Sequence, residues 1–299
     1  MEGKVVLRRE RSLPIRFLSA RIEGESIWFR LLVNLILIAA CVIALYPALR
    51  ILSVSLRPHD RLLSTSLAII PPDANLQNYH SVLFDKDFPL WIWNSLLITI
   101  TTSVVGLALS ATSAYAFSRW RFRGRSLFLV FLLATQMIPA AMMMVPLYII
   151  SARLGLIDSY RGLVLSYSVS SIPFSIWIMK GYYDTIPASL EEAAMIDGAS
   201  RLYTLYRIML PLSAPALAVV FLFNFMSACN DFLLARIMLQ KPAMLTWPLG
   251  LQSLQQQFQT EWGAYAASSL MIAIPVGALF LFTSKWLVSG LTLGSVKGD

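Results

Sequence analysis

The sequence predicts an all-helical, polytopic membrane protein with six transmembrane helices, and three observations carry that reading. Hydrophobic residues fill 57% of the 299 positions and charged residues only 13%, about half the charged share of an ordinary globular protein. Mean hydropathy is +0.67, and a soluble domain of this size would lack the polar surface to cover itself. Cutting the chain at its charges leaves six apolar runs of the length a bilayer demands, about 20 residues.

The runs are Leu31–Leu56, interrupted only by Arg50, then Leu90–Ser118, Ser126–Ala152, Gly162–Met179, Ile208–Asn230 and Trp262–Ser284. The fourth is the shortest, and Lys180 can snorkel at its end. Loops fall at 57–89, 119–125, 153–161, 180–207 and 231–261. Residues 1–30 form a basic tail, 31–285 the permease-like membrane domain and 286–299 a second tail. The first apolar run is longer than a signal-peptide core of about 7–15 residues, so an uncleaved first helix is expected.

Lysine and arginine set the orientation. Sixteen lie in the N-terminal 30 residues, loops 119–125 and 180–207 and the C-terminal tail, against seven in the opposite loops. Both termini are therefore expected in the cytoplasm. The net charge of +8 reflects these loops and not a nucleic-acid partner.

Several function classes are poorly supported. Cys41 and Cys229 lie in apolar runs without a C-x-x-C partner, and His59 and His80 share one polar loop without ligand spacing. No catalytic, cofactor-binding or metal-ligating set is expected, and no P-loop is present. Runs two, three, four and six contain no Asp, Glu, Lys, Arg or His, whereas ion-coupled transporters usually carry such groups within their spans. Neutral polar residues remain. Asn94, Gln136, Asn224 and Asn230 are candidates for a translocation path, although helix-to-helix hydrogen bonding is the default role of such groups. Pro139, Pro146, Pro173, Pro215 and Pro275 are compatible with a kinked bundle around a cavity.

The informative segment is the cytoplasmic elbow at about 187–211. Ser189 followed by Glu192 reads as a capping box, Gly198 suits a left-handed C-terminal turn, and Ser200 can cap a second short helix leading into span five. Glu192-Ala193-Ala194, three residues, Gly198, nine residues, then Ile208-x-Leu210-Pro211 resembles the E-A-A-x3-G-x9-I-x-L-P motif of ATP-binding-cassette (ABC) importer permeases. Further stretches resemble the smaller, six-span permease of the maltose-type carbohydrate importers. They are Trp93-Asn94-Ser95, Ala114-Tyr115-Ala116-Phe117, Lys180-Gly-Tyr-Tyr, Trp262-Gly263-x-Tyr265-Ala266-Ala267 and Lys285-Trp286-Leu-Val-x-Gly290.

That resemblance implies a type I ABC importer permease fold and a chain that is not itself an enzyme. ATP and Mg would be held by two ATP-binding subunits. A second permease would complete a heterodimer, and an extracytoplasmic binding protein would deliver a saccharide. Ser189, Glu191, Glu192, Ala193, Ala194, Asp197 and Gly198 would dock the ATPase, with Val296, Lys297 and Gly298 near it. Gln255, Gln256, Glu261, Trp262 and Gly263 would form the loop that meets the binding protein. Trp91, Trp93, Trp120, Trp247, Trp262 and Trp286 fall near span ends and read as interfacial anchors. A permease for a polyol or other non-sugar solute, an ATP-independent secondary transporter, an intramembrane enzyme and a membrane scaffold are the competing readings.

Overall fold

The computed structural model describes residues 27–58, 68–255 and 260–293, with side chains described between 28 and 286 of these. Among the described residues the regular structure is helical, and one isolated antiparallel bridge joins Gln255 to Thr260. Two compact units are distinguished, residues 1–50 and 51–299. In the first, helix α1 (Ile27–Ser55) carries exposed side chains throughout 28–49. Such all-round apolar character suits a helix whose solvent is lipid.

The second unit contains α2 (Gln77–Phe84), α3 (Phe88–Arg119), α4 (Arg125–Gln136), α5 (Ala140–Arg153) and α6 (Tyr160–Tyr183). It continues with α7 (Ala188–Ile196), α8 (Arg201–Thr204), a π-helical turn (Leu205–Met209) and α9 (Leu210–Leu212). The remaining helices are α10 (Ala214–Asn230), α11 (Leu233–Met238), α12 (Trp247–Ser253) and α13 (Trp262–Leu293).

Four helices are long and apolar enough to cross a membrane unbroken: Trp28–Ser55, Phe88–Arg119, Tyr160–Tyr183 and Trp262–Trp286. The other two expected spans are not straight. Helices α4 and α5 meet at 103°, and the Arg201–Leu212 segment meets α10 at 81°. Proline accounts for both breaks. Pro139 caps α5 in an extended conformation (φ −55°, ψ 131°), lacks an N–H and disfavours helix in the residue before it. Pro211 and Pro215 flank the second break at Ser213, so residues 208–212, expected to open span five, belong to the elbow instead.

Helices α3, α6 and α10 form the centre of the bundle. On α3, Thr99, Thr102, Ser103, Gly106, Ser110 and Ala114 are buried, and on α6 Ser168, Ser171 and Ser175. Their spacing of three and four residues puts small side chains on one stripe of each helix, which permits close backbone approach in a bilayer. The hydroxyls turn back on their own helices, as Ser103 to Thr99 O (2.6 Å) and Ser175 to Ser171 O (2.9 Å).

Asn94, a candidate path residue, is instead a clamp. Its Nδ2 donates to the carbonyls of Ala243 and Leu245 (both 3.0 Å), and its Oδ1 accepts from Tyr160 OH (2.8 Å). The fully buried amide thus ties the 231–261 connection to α3 and α6. Trp91 also departs from the anchor reading: it is 5% exposed, in a core with Val82, Phe88, Leu251 and Ala267. Replacing Asn94 with alanine leaves three partners unmatched and is expected to cost about 1–3 kcal/mol, measurable as a lowered melting temperature of the purified membrane protein.

Candidate functional site

The elbow is shaped by its terminators. Helix α7 starts at Ala188 behind Pro187, and no side chain caps it. The expected capping box of Ser189 and Glu192 does not form, because the helix starts before Ser189 and places it inside the first turn. At the other end Gly198 adopts φ +86°, and Ala199 N reaches back to Ala194 O (2.9 Å) while Gly198 N reaches Met195 O (3.1 Å). This is the left-handed helix ending that favours glycine. Ser200 does cap α8, accepting from Tyr203 N at 3.3 Å.

Glu191 holds this elbow to the bundle. The docking set derived from sequence included it as a contact residue, but its side chain points inward and is only 5% exposed. Tyr115 OH donates to its Oε2 (2.6 Å), and Arg119 Nε is ion-paired with its Oε1. Arg119 also donates to Ile186 O (2.9 Å). Tyr115 packs edge-on against both Trp120 and Tyr183, and the Arg201 guanidinium lies 5.6 Å from the Trp120 ring centre. Every one of these contacts links the end of α3 to the elbow or to α6. Tyr115 was noted in sequence only as part of a family-like stretch, and Arg119 only as one charge among several in a basic loop.

A second tie runs beside it. Ser118 and Lys180 both donate to the Asp184 carboxylate (2.6 Å each). Burial pushes that carboxyl upward, but the hydrogen bonds from Lys180 and Ser118 and the charges of Lys180 and Arg125 outweigh it and leave it below the ordinary aspartate value. A depressed folded value means that the stabilisation is present at neutral pH and is lost as pH falls through that value.

With Glu191 turned inward, the elbow's other face stays open. Ser189, Glu192, Ala193, Asp197 and Gly198 are exposed and Ala194 is half-buried. Leu190, Ile196, Leu202, Tyr203 and Tyr206 are exposed with them, Ile196 by 86%. Small residues and bare apolar side chains on a hydrogen-bonded platform make a surface suited to a protein partner.

At the opposite end, the presumed binding-protein loop is shorter than the sequence suggested. Gln252 lies in α12, and Trp262 already opens α13. Gln255 is exposed, Glu261 pairs with Lys86 (2.8 Å), Trp262 is half-buried, and Gly263 is buried against the Asn78 side chain. Gln256, Val296, Lys297 and Gly298 lie outside the described residues.

Between the two ends, a cavity of about 620 Å³ opens inside the bend of α4 and α5, walled also by α3, α6, α10 and the start of α11. Gln136 and Asn224, two of the four candidate path residues, line it; Asn94 and Asn230 do not. Asn230 is exposed and bonds back to Met226 O (2.9 Å). Asp231 lines the cavity as well; its position at a span end gave no hint of this.

Residues 104–292 match the family described as "Binding-protein-dependent transport system inner membrane component". The chain belongs to this family. It is 34% identical over 298 residues to the maltose/maltodextrin transport system permease protein MalG of Yersinia pestis, covering 93% of this chain and 97% of that one. It is 38% identical over 276 residues to the galactooligosaccharides transport system permease protein GanQ of Bacillus subtilis, covering 91% and 97%. The fold is similar to a chain in the crystal structure of a bacterial ABC transporter involved in the import of the acidic polysaccharide alginate. The TM-score there is 0.77 at 28% identity, covering 88% of this chain and 99% of that one. The permease is therefore a membrane-embedded, maltose-type ABC importer subunit working in a binding-protein-dependent system.

Three outcomes are expected at the elbow. Glu191→Ala strands Arg119 beside the Tyr115 hydroxyl and is expected to cost about 3–5 kcal/mol, whereas Glu191→Gln keeps an acceptor for Tyr115 and costs less; limited proteolysis between 185 and 200 ranks the two. Gly198→Val forces a β-branched residue into a left-handed conformation, a strain of about 1–2 kcal/mol, while Gly198→Asn is tolerated. Membrane insertion is unchanged in both, and stimulated ATP hydrolysis by the assembled complex falls only in the valine variant. Acidification speeds proteolysis of the wild-type elbow more than that of Asp184→Asn.

Proposed function

We propose that this permease forms a heterodimer with a second permease and carries an oligosaccharide into the cytoplasm by alternating access. Two ATP-hydrolysing subunits, which hold ATP and Mg, drive the cycle, and an extracytoplasmic binding protein hands over the cargo. Both termini and the elbow face the cytoplasm in this arrangement, and the chain spans the bacterial inner membrane without any nucleotide site of its own.

The single observation that carries the ATP coupling is the elbow, anchored from behind by Glu191 while Leu190, Ile196, Leu202 and Tyr203 stand exposed around Glu192 and Ala193. Apolar side chains at a membrane protein's aqueous end require a protein cover. A force applied there passes through Glu191 and Arg119 into α3, and through Asp184 into α6. Since coupling is a free-energy difference between states, the covering subunit must grip this face differently before and after ATP closes the ATPase pair. The saccharide assignment draws on the names of the relatives and on the neutral polar residues of the cavity. An open loop at Gln255 with the paired Lys86 and Glu261 nearby is the proposed seat of the binding protein.

The test is ATP hydrolysis by the complex purified through this chain, reconstituted with its binding protein and a panel of oligosaccharides. Stimulation by one loaded binding protein is expected, and hydrolysis indifferent to all of them would contradict the proposal. Ile196→Asp is expected to reduce co-purified ATPase by about tenfold or more, the scale of losing an interface anchor of about 2 kcal/mol; full recovery of the ATPase would remove the elbow from the interface.

A further inference from the structure

The cavity in the bend of α4 and α5 has a polar wall that helix packing leaves unused. Asn224 is fully buried; its Oδ1 accepts from Ser175 Oγ (3.0 Å), and its Nδ2 has no hydrogen-bond partner. Thr102 Oγ1 on α3 and Ser171 Oγ on α6 are also buried without a partner. Asn224 Nδ2 and Ser171 Oγ converge on the same spot, 2.8 and 3.7 Å from where a Cβ on Gly106 would stand. All three residues line the cavity. Buried polar groups are almost always satisfied, and each exception calls for an explanation. Three exceptions from three helices on one cavity wall point to a ligand that supplies the missing hydrogen bonds.

The charge on the wall narrows what that ligand is. Asp231 is the one charged residue among those lining the cavity. Its Oδ1 is fixed, accepting from Tyr167 OH (3.0 Å) and from the backbone N–H of Leu234 and Ala235 (3.1 Å each). No lysine or arginine lines the cavity beside it.

We infer that this wall is a saccharide subsite that accepts uncharged sugar rings and turns away uronates, an inference that rests on the importer reading above. An amide donor, two hydroxyls and a carboxylate acceptor complement the donors and acceptors of sugar hydroxyls. The volume lies within the roughly 300–1,000 Å³ of ligand pockets. A uronate carboxylate entering here meets Asp231 with no cation to compensate, and juxtaposed like charges reject a partner more effectively than lost contacts do. The solved transporter of similar fold imports acidic alginate, so the shared fold leaves the sign of the cargo open. The lining charge decides it.

The test uses the assembled permease–ATPase complex in lipid nanodiscs, without binding protein, and saturation-transfer NMR with a neutral glucose trisaccharide and a uronate trisaccharide. The neutral sugar is expected to give a signal about tenfold stronger than the uronate, the scale of a like-charge penalty in a confined site. Asp231→Asn keeps the α11 cap, since asparagine caps as well as aspartate, and is expected to raise the uronate signal severalfold while the neutral signal holds. Asn224→Ala is expected to weaken the neutral signal with no change in the melting temperature of the complex. Equal signals in the wild type, no signal from either sugar, or an Asp231→Asn ratio that does not move would each overturn the subsite. Stimulation of ATP hydrolysis by loaded binding protein in the same preparation reports separately on the importer reading.

Discussion

One buried carboxylate organises the cytoplasmic end of this permease. Glu191 joins the elbow to α3 through Arg119 and Tyr115, and the same arginine holds the Ile186 carbonyl where the chain leaves α6. The geometry matters more than the energy. A charge pair this far from water contributes little net stability when intact, but breaking it leaves an uncompensated ion and is costly. The elbow therefore has one seating on the bundle rather than a range of them, which is what a lever between two proteins requires. The π-helical turn at Leu205–Met209 continues that rigidity into the 81° bend before α10.

The other constraint is the set of prolines that bend the spans. A straight helix over 125–153 would close the space that Pro139 opens, and the cavity depends on that bend. Backbone freed from helical pairing is tolerated at membrane depth where it lines a cavity or is buried in protein. The wall so exposed is built from side chains on the central helices, which elsewhere use their small residues to approach closely. Packing and path thus draw on the same polar inventory. Ser103 and Ser175 spend their hydroxyls on their own backbone, while Thr102, Ser171 and the Asn224 amide remain available.

Much of this was legible in the residues. Hydropathy located all six apolar runs, the E-A-A to Gly198 spacing located the elbow, and Gly198 and Ser200 behave as turn and cap. What hydropathy could not show was direction within a run: Pro139 was visible, but the 103° angle depends on what packs either side of it. The two adjacent glutamates were indistinguishable in sequence. Only the fold separates them, burying Glu191 against a cation from a distant segment and leaving Glu192 outside. Asn94 likewise looked like any intramembrane amide until Ala243 and Leu245, about 150 positions away, supplied its acceptors. Long-range partners of this kind leave no local pattern.

The central claim is that the elbow and α3 move as one body. The most direct measurement is the distance between spin labels at Ser189, exposed on α7, and Ala108, exposed on α3, in the assembled complex with and without trapped ATP. The distance is predicted to stay the same in both states while labels across the permease dimer separate or approach. A nucleotide-dependent change between Ser189 and Ala108 would show that the elbow slides on α3, and Glu191 would then be a hinge rather than an anchor.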